Sequence, residues 1–225
     1  MSSPAWDVGD LNGFSVCTND NIGQINMDST IGQYLYNIVK HPSIKNILEI
    51  GTWNGLGSTR CIVNGLLERL EPSADFCFYS LECNTEKCSV AQKYYKDVSN
   101  VHILNEVILN DMPADIYNIF PEIVQSDQLK YWNEIDYNNM KNKPLFLNRI
   151  DVPKMFDMVL LDGGEFTTWY EYLELKDRCK ILALDDTNVS KCRRIVEDLK
   201  AQPERWEILL DNTTERNGTV IAHRR

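Results

Sequence analysis

Short apolar segments alternate with longer amphipathic segments along most of this chain. The apolar segments are 46–50, 76–82, 101–105, 156–162 and 180–186, and the amphipathic ones are 55–70, 84–98, 164–177 and 188–200. Short apolar runs are typical of strands buried on both faces, and such strands alternating with helices form a parallel sheet covered on both sides. The sequence therefore predicts an α/β protein with a doubly wound sheet.

Three regions depart from this alternation. Residues 1–45 predict an irregular arm and one helix. The segment 121–154 is too long for an ordinary connection, and it predicts either a lid over a binding site or a surface helix with a loop. The tail predicts a hairpin that turns at Asn217 and Gly218, two residues suited to a positive φ, so one terminal strand must run antiparallel to the rest. The length of 225 residues fits a single domain, 1–225.

Charge and composition narrow the classes of function. Lys and Arg number 23 and Asp and Glu number 33, a net charge of −10 that disfavours a nucleic-acid partner. No apolar run reaches the roughly 20 residues of a membrane span, so no membrane partner is expected. The seven cysteines are an odd count without paired metal spacing, which favours reduced thiols and a cytoplasmic protein.

The stretch "NILEIGTWNGLGS", residues 46–58, joins the first predicted strand to a helix through a glycine loop. Glycines let backbone N–H groups and a helix N-terminus approach a polar ligand with no Cβ in the way. Glu82, at the end of the second strand, suits the two hydroxyls of a ribose. These features fit a nicotinamide-dependent oxidoreductase as well. Glu49, inside the first strand, favours a cationic ligand over a pyrophosphate.

Together these segments resemble the class I S-adenosylmethionine-dependent methyltransferases. "LEIGTWNGLGS" resembles their first motif, Glu82 their ribose acid, "FDMVLLDGG" their fourth-strand motif and "ILALDD" their fifth, and the C-terminal hairpin is similar to their reversed seventh strand. The forms "EIGTWNG" and "LDGGEFTT" resemble a branch of small-molecule and sugar O-methyltransferases. The resemblance implies a Rossmann-like, mostly parallel seven-stranded sheet of order 3-2-1-4-5-7-6. It also implies S-adenosyl-L-methionine as cofactor and O-methylation of a small molecule, with a sugar or glycan unit as the leading acceptor.

Carried over to this sequence, the family's cofactor contacts fall on the glycine loop and on the ends of the second and third strands. The loop and Ser58 are expected to hold the methionine end of the cofactor, with Glu49 beside it. Glu82 is expected to bind the ribose, and the residues after the third strand to contact adenine. The predicted cofactor-binding residues are Glu49, Gly51, Thr52, Trp53, Asn54, Gly55, Ser58, Glu82, Asn105 and Glu106.

Acidic residues follow the fourth and fifth predicted strands. Asp162 ends the fourth, and Asp185 and Asp186 end the fifth. Because parallel strands end at the same edge of a sheet, these carboxylates are predicted to converge and to hold Mg²⁺. Metal-dependent catechol and macrolide-sugar O-methyltransferases resemble this arrangement. The alternative is that Asp185 and Asp186 cap the following helix and brace its loop.

The predicted catalytic residues are Asp162 and Glu165. Glu165 stands where sugar enzymes of this kind often carry a histidine, and it is predicted to be a base, a further metal ligand or a hydrogen-bond acceptor for the substrate. The missing histidine leaves open a subunit that binds the cofactor without catalysis. The basic segment "KCRR", residues 191–194, is interpreted as the solvated face of a helix.

Overall fold

Seven strands form one sheet in the order β3-β2-β1-β4-β5-β7-β6, as the sequence predicted. The computed structural model describes residues 23–69 and 75–225. Strands β1 to β5 are parallel, whereas β7 is antiparallel to both β5 and β6. The strands are β1 Asn46–Ile50, β2 Cys77–Leu81, β3 Val101–Leu104, β4 Phe156–Leu161, β5 Cys179–Asp185, β6 Trp206–Asn212 and β7 Thr219–Arg224.

Each of the four predicted amphipathic segments contains one helix, and three of these helices are shorter than predicted at both ends. The helices are α1 Thr30–Lys40, α2 Ser58–Leu67, α3 Thr85–Tyr95, α4 Ile116–Ile119, α5 Asp127–Met140, α6 Thr168–Leu175 and α7 Ser190–Lys200, with 3-10 turns at Pro121–Gln125 and Phe146–Asn148. Most of the predicted N-terminal arm lies outside the described residues. In the described part of the chain, no helix is long and apolar enough to cross a membrane. The six cysteines described there are free thiols.

Alternate residues of the central strands pack into two separate cores. Leu48 and Val159 point to one face of the sheet, where they join apolar residues of α6 and α7. Ile47 and Met158 point to the other face, where α1, α2 and α3 pack. Side chains of a strand alternate between the two faces, and both faces here are covered by helices, which explains why the strand sequences are almost continuously apolar.

The carboxyl ends of β1 to β5 meet at one edge of the sheet, and two later parts of the chain reach it. The β6–β7 turn contacts the residues after β5, since the backbone N–H of Asn188 donates to the Asn217 carbonyl at 2.7 Å. Positive φ angles in this turn occur at Arg216 and Gly218, so the expectation for Asn217 was wrong. The Asn217 side chain instead donates to Asp186 at 3.0 Å.

The long predicted connection contains α5, which lies beside the same edge. Ser126 caps the helix by accepting a hydrogen bond from the N–H of Leu129. From the inner side of α5, the Asp136 carboxylate accepts a hydrogen bond from the Glu165 N–H at 3.1 Å, and Asn133 is buried. Tyr131 on the outer side is 58% exposed. The segment therefore contacts the edge, as a lid would, and closure over a ligand stays a prediction.

Candidate active site at the carboxyl edge of the sheet

Glu49 is fully buried beneath the glycine loop. Its carboxylate accepts hydrogen bonds from Ser58 Oγ at 2.6 Å, Thr59 Oγ1 at 2.7 Å and Ser80 Oγ at 2.5 Å. Burial raises the pKa of Glu49 to about 7, against the lowering effect of these hydroxyl groups. The carboxylate thus links β1, β2 and the start of α2 and fixes where the loop begins. Direct contacts of Glu49 and Ser58 with a cofactor stay predictions.

The glycines of the loop allow close contacts within the protein. Gly51 has a φ of +98°, and a Cβ there would lie 2.0 Å from the carbonyl oxygen of Asp162. Gly55 has a φ of +81°, and its Cβ would lie 2.9 Å from both Ala91 and Tyr95. The absent Cβ atoms therefore face β4 and α3, which corrects the expectation that these glycines mainly make room for a ligand. They let the loop pack tightly, and its backbone is held in place as a result.

Glu82 holds the far side of the same loop. Its two carboxylate oxygens accept hydrogen bonds from the backbone N–H of Trp53 at 2.7 Å and of Asn84 at 2.8 Å. Burial raises its pKa. The carboxylate is thus fixed at the end of β2. Oε1 also accepts a weak hydrogen bond from Cys83 Sγ at 3.8 Å, whereas Oε2 keeps a further lone pair for a ligand hydroxyl. Thr52 lies beneath it, with its hydroxyl 2.5 Å from Ser80 Oγ.

The remaining predicted cofactor residues make contacts within the protein. Asn54 is buried, and its side-chain oxygen accepts from the Leu56 N–H at 3.1 Å. Asn105 donates to the Glu82 carbonyl at 2.6 Å and accepts from Lys143 at 2.6 Å. These contacts place Asn105 beside Glu82, the predicted ribose acid. The contact of Asn105 with adenine, which the family resemblance implies, stays a prediction.

Glu106 is held by a single ion pair. One of its carboxylate oxygens lies 2.8 Å from Arg149 Nη1, while the other oxygen is buried without a hydrogen-bond partner. Glu106 follows β3, so this oxygen is also near the carboxyl edge. It is available to a ligand that carries a hydrogen-bond donor.

The acids after β4 and β5 converge as the sequence predicted. One oxygen from each of Asp162, Asp185 and Asp186 lies within 4.8 Å of the others. Burial, with the charges of the two neighbouring carboxylates, raises the pKa of Asp185 to about 6. Asp186 has a φ of +58°, so the chain turns sharply there to bring its carboxylate into the cluster.

Two cationic side chains occupy this acid cluster. Lys191 Nζ lies 2.5 Å from Asp162 Oδ1 and 3.1 Å from Asp186 Oδ2. Arg216, from the β6–β7 turn, donates to Asp185 Oδ2 at 2.8 Å. Burial lowers the pKa of the Lys191 ammonium, but the charges of Asp162 and Asp186 raise it above its ordinary value.

The cluster as built does not fit the predicted Mg²⁺. Mg²⁺ requires oxygen ligands at about 2.1 Å in a near-octahedral arrangement, and most of its ligands must be oxygens free of competing cations. The oxygens of Asp162 and Asp186 are instead directed at an ammonium group, and Asp185 is paired with Arg216. The convergence of the three acids is confirmed, but their carboxylates are paired with Lys191 and Arg216, and of their oxygens only Asp185 Oδ1 is buried without a hydrogen-bond partner.

Lys191 was missed by the sequence analysis, and the interpretation of "KCRR" as a solvated face is wrong at this residue. The Lys191 side chain is only 7% exposed. A signal was present in the sequence, because Lys191 stands in the first turn of α7. A cation there opposes the helix dipole, so its presence indicates a compensating acid nearby.

Glu165 lies beside this cluster with a second group of carboxylates. Burial raises its pKa, while the charge of Lys191 lowers it. Burial, then the charge of Asp136, raises the pKa of Glu171 to about 8. Glu171 lies against Gly163, directly after β4. The region between β4 and α5 is therefore rich in carboxyl groups.

Unpartnered oxygens are concentrated around this edge. In the part of the chain that the structure describes, seven buried side-chain nitrogen or oxygen atoms lack a hydrogen-bond partner. Four of the seven are carboxyl or amide oxygens on elements that border the edge: Glu106 Oε2, Asn133 Oδ1, Glu171 Oε2 and Asp185 Oδ1. Buried polar atoms are normally hydrogen-bonded, so this group indicates a site for a ligand with several donors.

Solved structures with the same architecture include two O-methyltransferases. One, from Bacillus cereus in complex with SAH, is 16% identical and has a TM-score of 0.56, with 92% of this chain and 86% of that chain covered. TomG from Streptomyces achromogenes, involved in tomaymycin synthesis and solved with SAM, is 16% identical with a TM-score of 0.52, covering 86% and 79%. This chain has the class I methyltransferase fold. Comparison of the sequence with protein-family models and with curated proteins finds no match.

The methyltransferase fold explains why the site lies where it does. In open α/β sheets, ligands bind beyond the carboxyl ends of the strands, next to the point where the strand order reverses. Here that point lies between β1 and β4, and the loop after β1 packs on Asp162 after β4. The glycine loop, Glu82 and the acid cluster therefore border one shared region.

The buried state of Glu49 predicts a pH-dependent stability. Its pKa rises from 4.5 in the unfolded chain to about 7 in the fold, so the folded protein binds the proton more tightly. Stability must then fall as the pH rises between these two values, by roughly 3 kcal/mol. Glu49→Gln has no group that titrates at this position. Its free energy of unfolding, relative to that of the unmodified chain, should therefore increase as the pH rises between these two values. Denaturant unfolding of both proteins over the pH series measures the difference, and a constant difference would contradict the assignment.

Proposed function

We propose that this chain is an S-adenosylmethionine-dependent O-methyltransferase acting on a hydroxyl group of a small molecule, with a sugar or glycan unit as acceptor. The observation that carries the proposal is the group of unpartnered oxygens and carboxyl groups around the carboxyl edge. S-adenosylmethionine carries the hydrogen-bond donors and the positive charge that such a site lacks. It carries a positive sulfonium, an ammonium group, two ribose hydroxyls and an adenine amine.

The charge of the site favours this cofactor over a nicotinamide dinucleotide. Burial raises the pKa values of Glu49, Glu82, Glu165 and Glu171, which means that each carboxylate lacks sufficient compensating positive charge. A cationic ligand relieves this deficit, whereas the two negative charges of a pyrophosphate increase it. The same argument disfavours a phosphate-rich acceptor such as a nucleic acid.

A cavity beside α5 supports a ring-shaped, hydroxylated acceptor. It has a volume of about 300 Å³ and is lined by Met112, Pro113, Ala114, Ile116, Tyr117, Asn133, Glu134 and Tyr137. Asn133 is buried, and its side-chain oxygen lacks a partner. Tyrosine rings beside amide and carboxylate groups suit a sugar, whose faces are apolar and whose edges carry hydroxyls. Asp136, about one turn further along α5, accepts a hydrogen bond from the Glu165 N–H, so α5 contacts both the cavity and the segment that carries Glu165.

The protein's part in the reaction is to orient the acceptor and to remove its proton. The methyl carbon passes from sulfur to the acceptor oxygen, the electron pair of the broken bond stays on sulfur, and the hydroxyl proton passes to a carboxylate. Glu165 is the proposed base, with Asp162 as the second candidate. Burial raises the pKa of Glu165 towards neutrality, which makes it a stronger base than an exposed glutamate.

The cofactor assignment is tested by calorimetric titration with S-adenosylhomocysteine. We expect binding to the unmodified chain and a loss of about 2 kcal/mol in Glu82→Gln, because the ribose loses a charged hydrogen-bond acceptor. Gln is used because its one side-chain oxygen keeps a hydrogen bond to the N–H of Trp53 or of Asn84, whereas Ala would leave both unpaired. Glu86→Ala, an exposed position on α3, serves as the control. Binding of NADH with no binding of S-adenosylhomocysteine would favour the oxidoreductase.

The acceptor assignment is tested with labelled S-adenosylmethionine and a panel of sugars. We expect Tyr137→Ala to raise KM for the acceptor by up to about tenfold, with little change in cofactor affinity, because a stacking ring is lost. Tyr131→Ala is the matched control, since Tyr131 lies on the same helix but does not line the cavity. Equal effects of the two changes would exclude the cavity. Absence of transfer to every acceptor, with cofactor binding intact, would favour a non-catalytic subunit.

A further inference from the structure

The acid cluster at the ends of β4 and β5 contains its own cation. Lys191 Nζ is within 3.1 Å of oxygens from both Asp162 and Asp186, and its side chain is 7% exposed. The backbone anchors this position, since α7 begins at Ser190 and directs its first turn at the cluster. An ion bound between Asp162 and Asp186 would have to share this space with the ammonium group.

The charges of the cluster are largely balanced without a metal. Asp162, Asp185 and Asp186 bring three negative charges, and Lys191 and Arg216 bring two positive charges. Two side-chain cations therefore supply the same total charge as one divalent ion. They come from separate elements, α7 and the β6–β7 turn, which explains why the hairpin contacts the residues after β5 so closely.

We propose that Lys191 takes the place of a catalytic metal in this protein, and that its ammonium group faces the acceptor oxygen during transfer. An ammonium group has three N–H donors, and Asp162 and Asp186 accept two of them. The third donates to the acceptor oxygen as its proton leaves, so the fixed positive charge stabilises the developing negative charge. This role rests on the proposed methyl transfer, whereas the absence of metal binding by the acid cluster does not.

Lysine suits this task because its position is fixed before the acceptor binds. The two aspartates hold the ammonium group in the cluster. Burial raises the pKa of Glu165, and the charge of the nearby Lys191 offsets part of this rise. A hydrogen-bond donor that is already oriented stabilises developing charge most strongly in a buried site, where little water competes with it. In the proposed reaction, the base Glu165 and the cation Lys191 act on the same oxygen.

The first experiment measures metal binding directly on the full chain. The amplitude of the free Mn²⁺ signal in electron paramagnetic resonance reports how much ion remains unbound. We expect the unmodified chain to leave millimolar Mn²⁺ unbound, with and without S-adenosylhomocysteine. Stoichiometric Mn²⁺ binding that is lost in Asp162→Asn would overturn the proposal, whether or not methyl transfer is ever detected.

The second experiment measures turnover in excess EDTA. We expect full activity in the unmodified chain, a fall in kcat on the order of 10²-fold in Lys191→Met, and partial recovery in Lys191→Arg. KM for S-adenosylmethionine should change little, and calorimetric titration with S-adenosylhomocysteine should give an unchanged number of sites per chain, which an unfolded fraction would lower. Lys180→Met is the matched control, because Lys180 pairs with Asp157 at 2.7 Å between the same two strands at the opposite edge. Full activity of Lys191→Met in EDTA, or loss of native activity in EDTA, would overturn the proposal.

Discussion

Crowding of carboxylates at one edge of a parallel sheet is the constraint on which the rest of this structure depends. Every parallel strand ends at that edge, and acids stand in all five strands or within two residues after them. Each acid is stabilised by a different means. Glu49 accepts hydrogen bonds from hydroxyl groups, and Glu82 accepts them from backbone N–H groups. The acids after β4 and β5 accept them from Lys191 and Arg216. These partners fix the glycine loop, the start of α7 and the terminal hairpin around one site.

The partners divide the edge into two halves of opposite character. Around β4 and β5 the negative charge is largely balanced by side chains that belong to the protein. In the other half, Glu82 at the end of β2 and Glu171 on α6 have no ion pair in the described part of the chain, and burial raises the pKa of Glu82 and brings that of Glu171 to about 8. An incoming cation is therefore attracted to the second half. In the proposed reaction that half receives the cofactor, and the first half receives the acceptor oxygen.

Much of the fold was predictable because it depends on local patterns. Apolar runs such as 156–162 read as buried strands, and the turn near Gly218 predicted the reversed strand. The site was predictable only as a set of acids. The cation in the first turn of α7 indicates an acid nearby, but no local pattern shows that this acid is Asp162, 29 positions away, or that Lys191 is buried while Arg193 is exposed. The loop sequence likewise does not show which elements approach Gly51 and Gly55. In the fold, β4 packs against the first and α3 against the second.

A crystal structure with S-adenosylhomocysteine and Mn²⁺, with anomalous scattering recorded at the manganese edge, tests the central claim most directly. The account predicts the nucleoside across the carboxyl edge, with the ribose hydroxyls on Glu82. It also predicts Lys191 Nζ between Asp162 and Asp186, with no anomalous peak among the three acids. A manganese peak there with Lys191 turned away, or a nucleoside bound elsewhere, would contradict it.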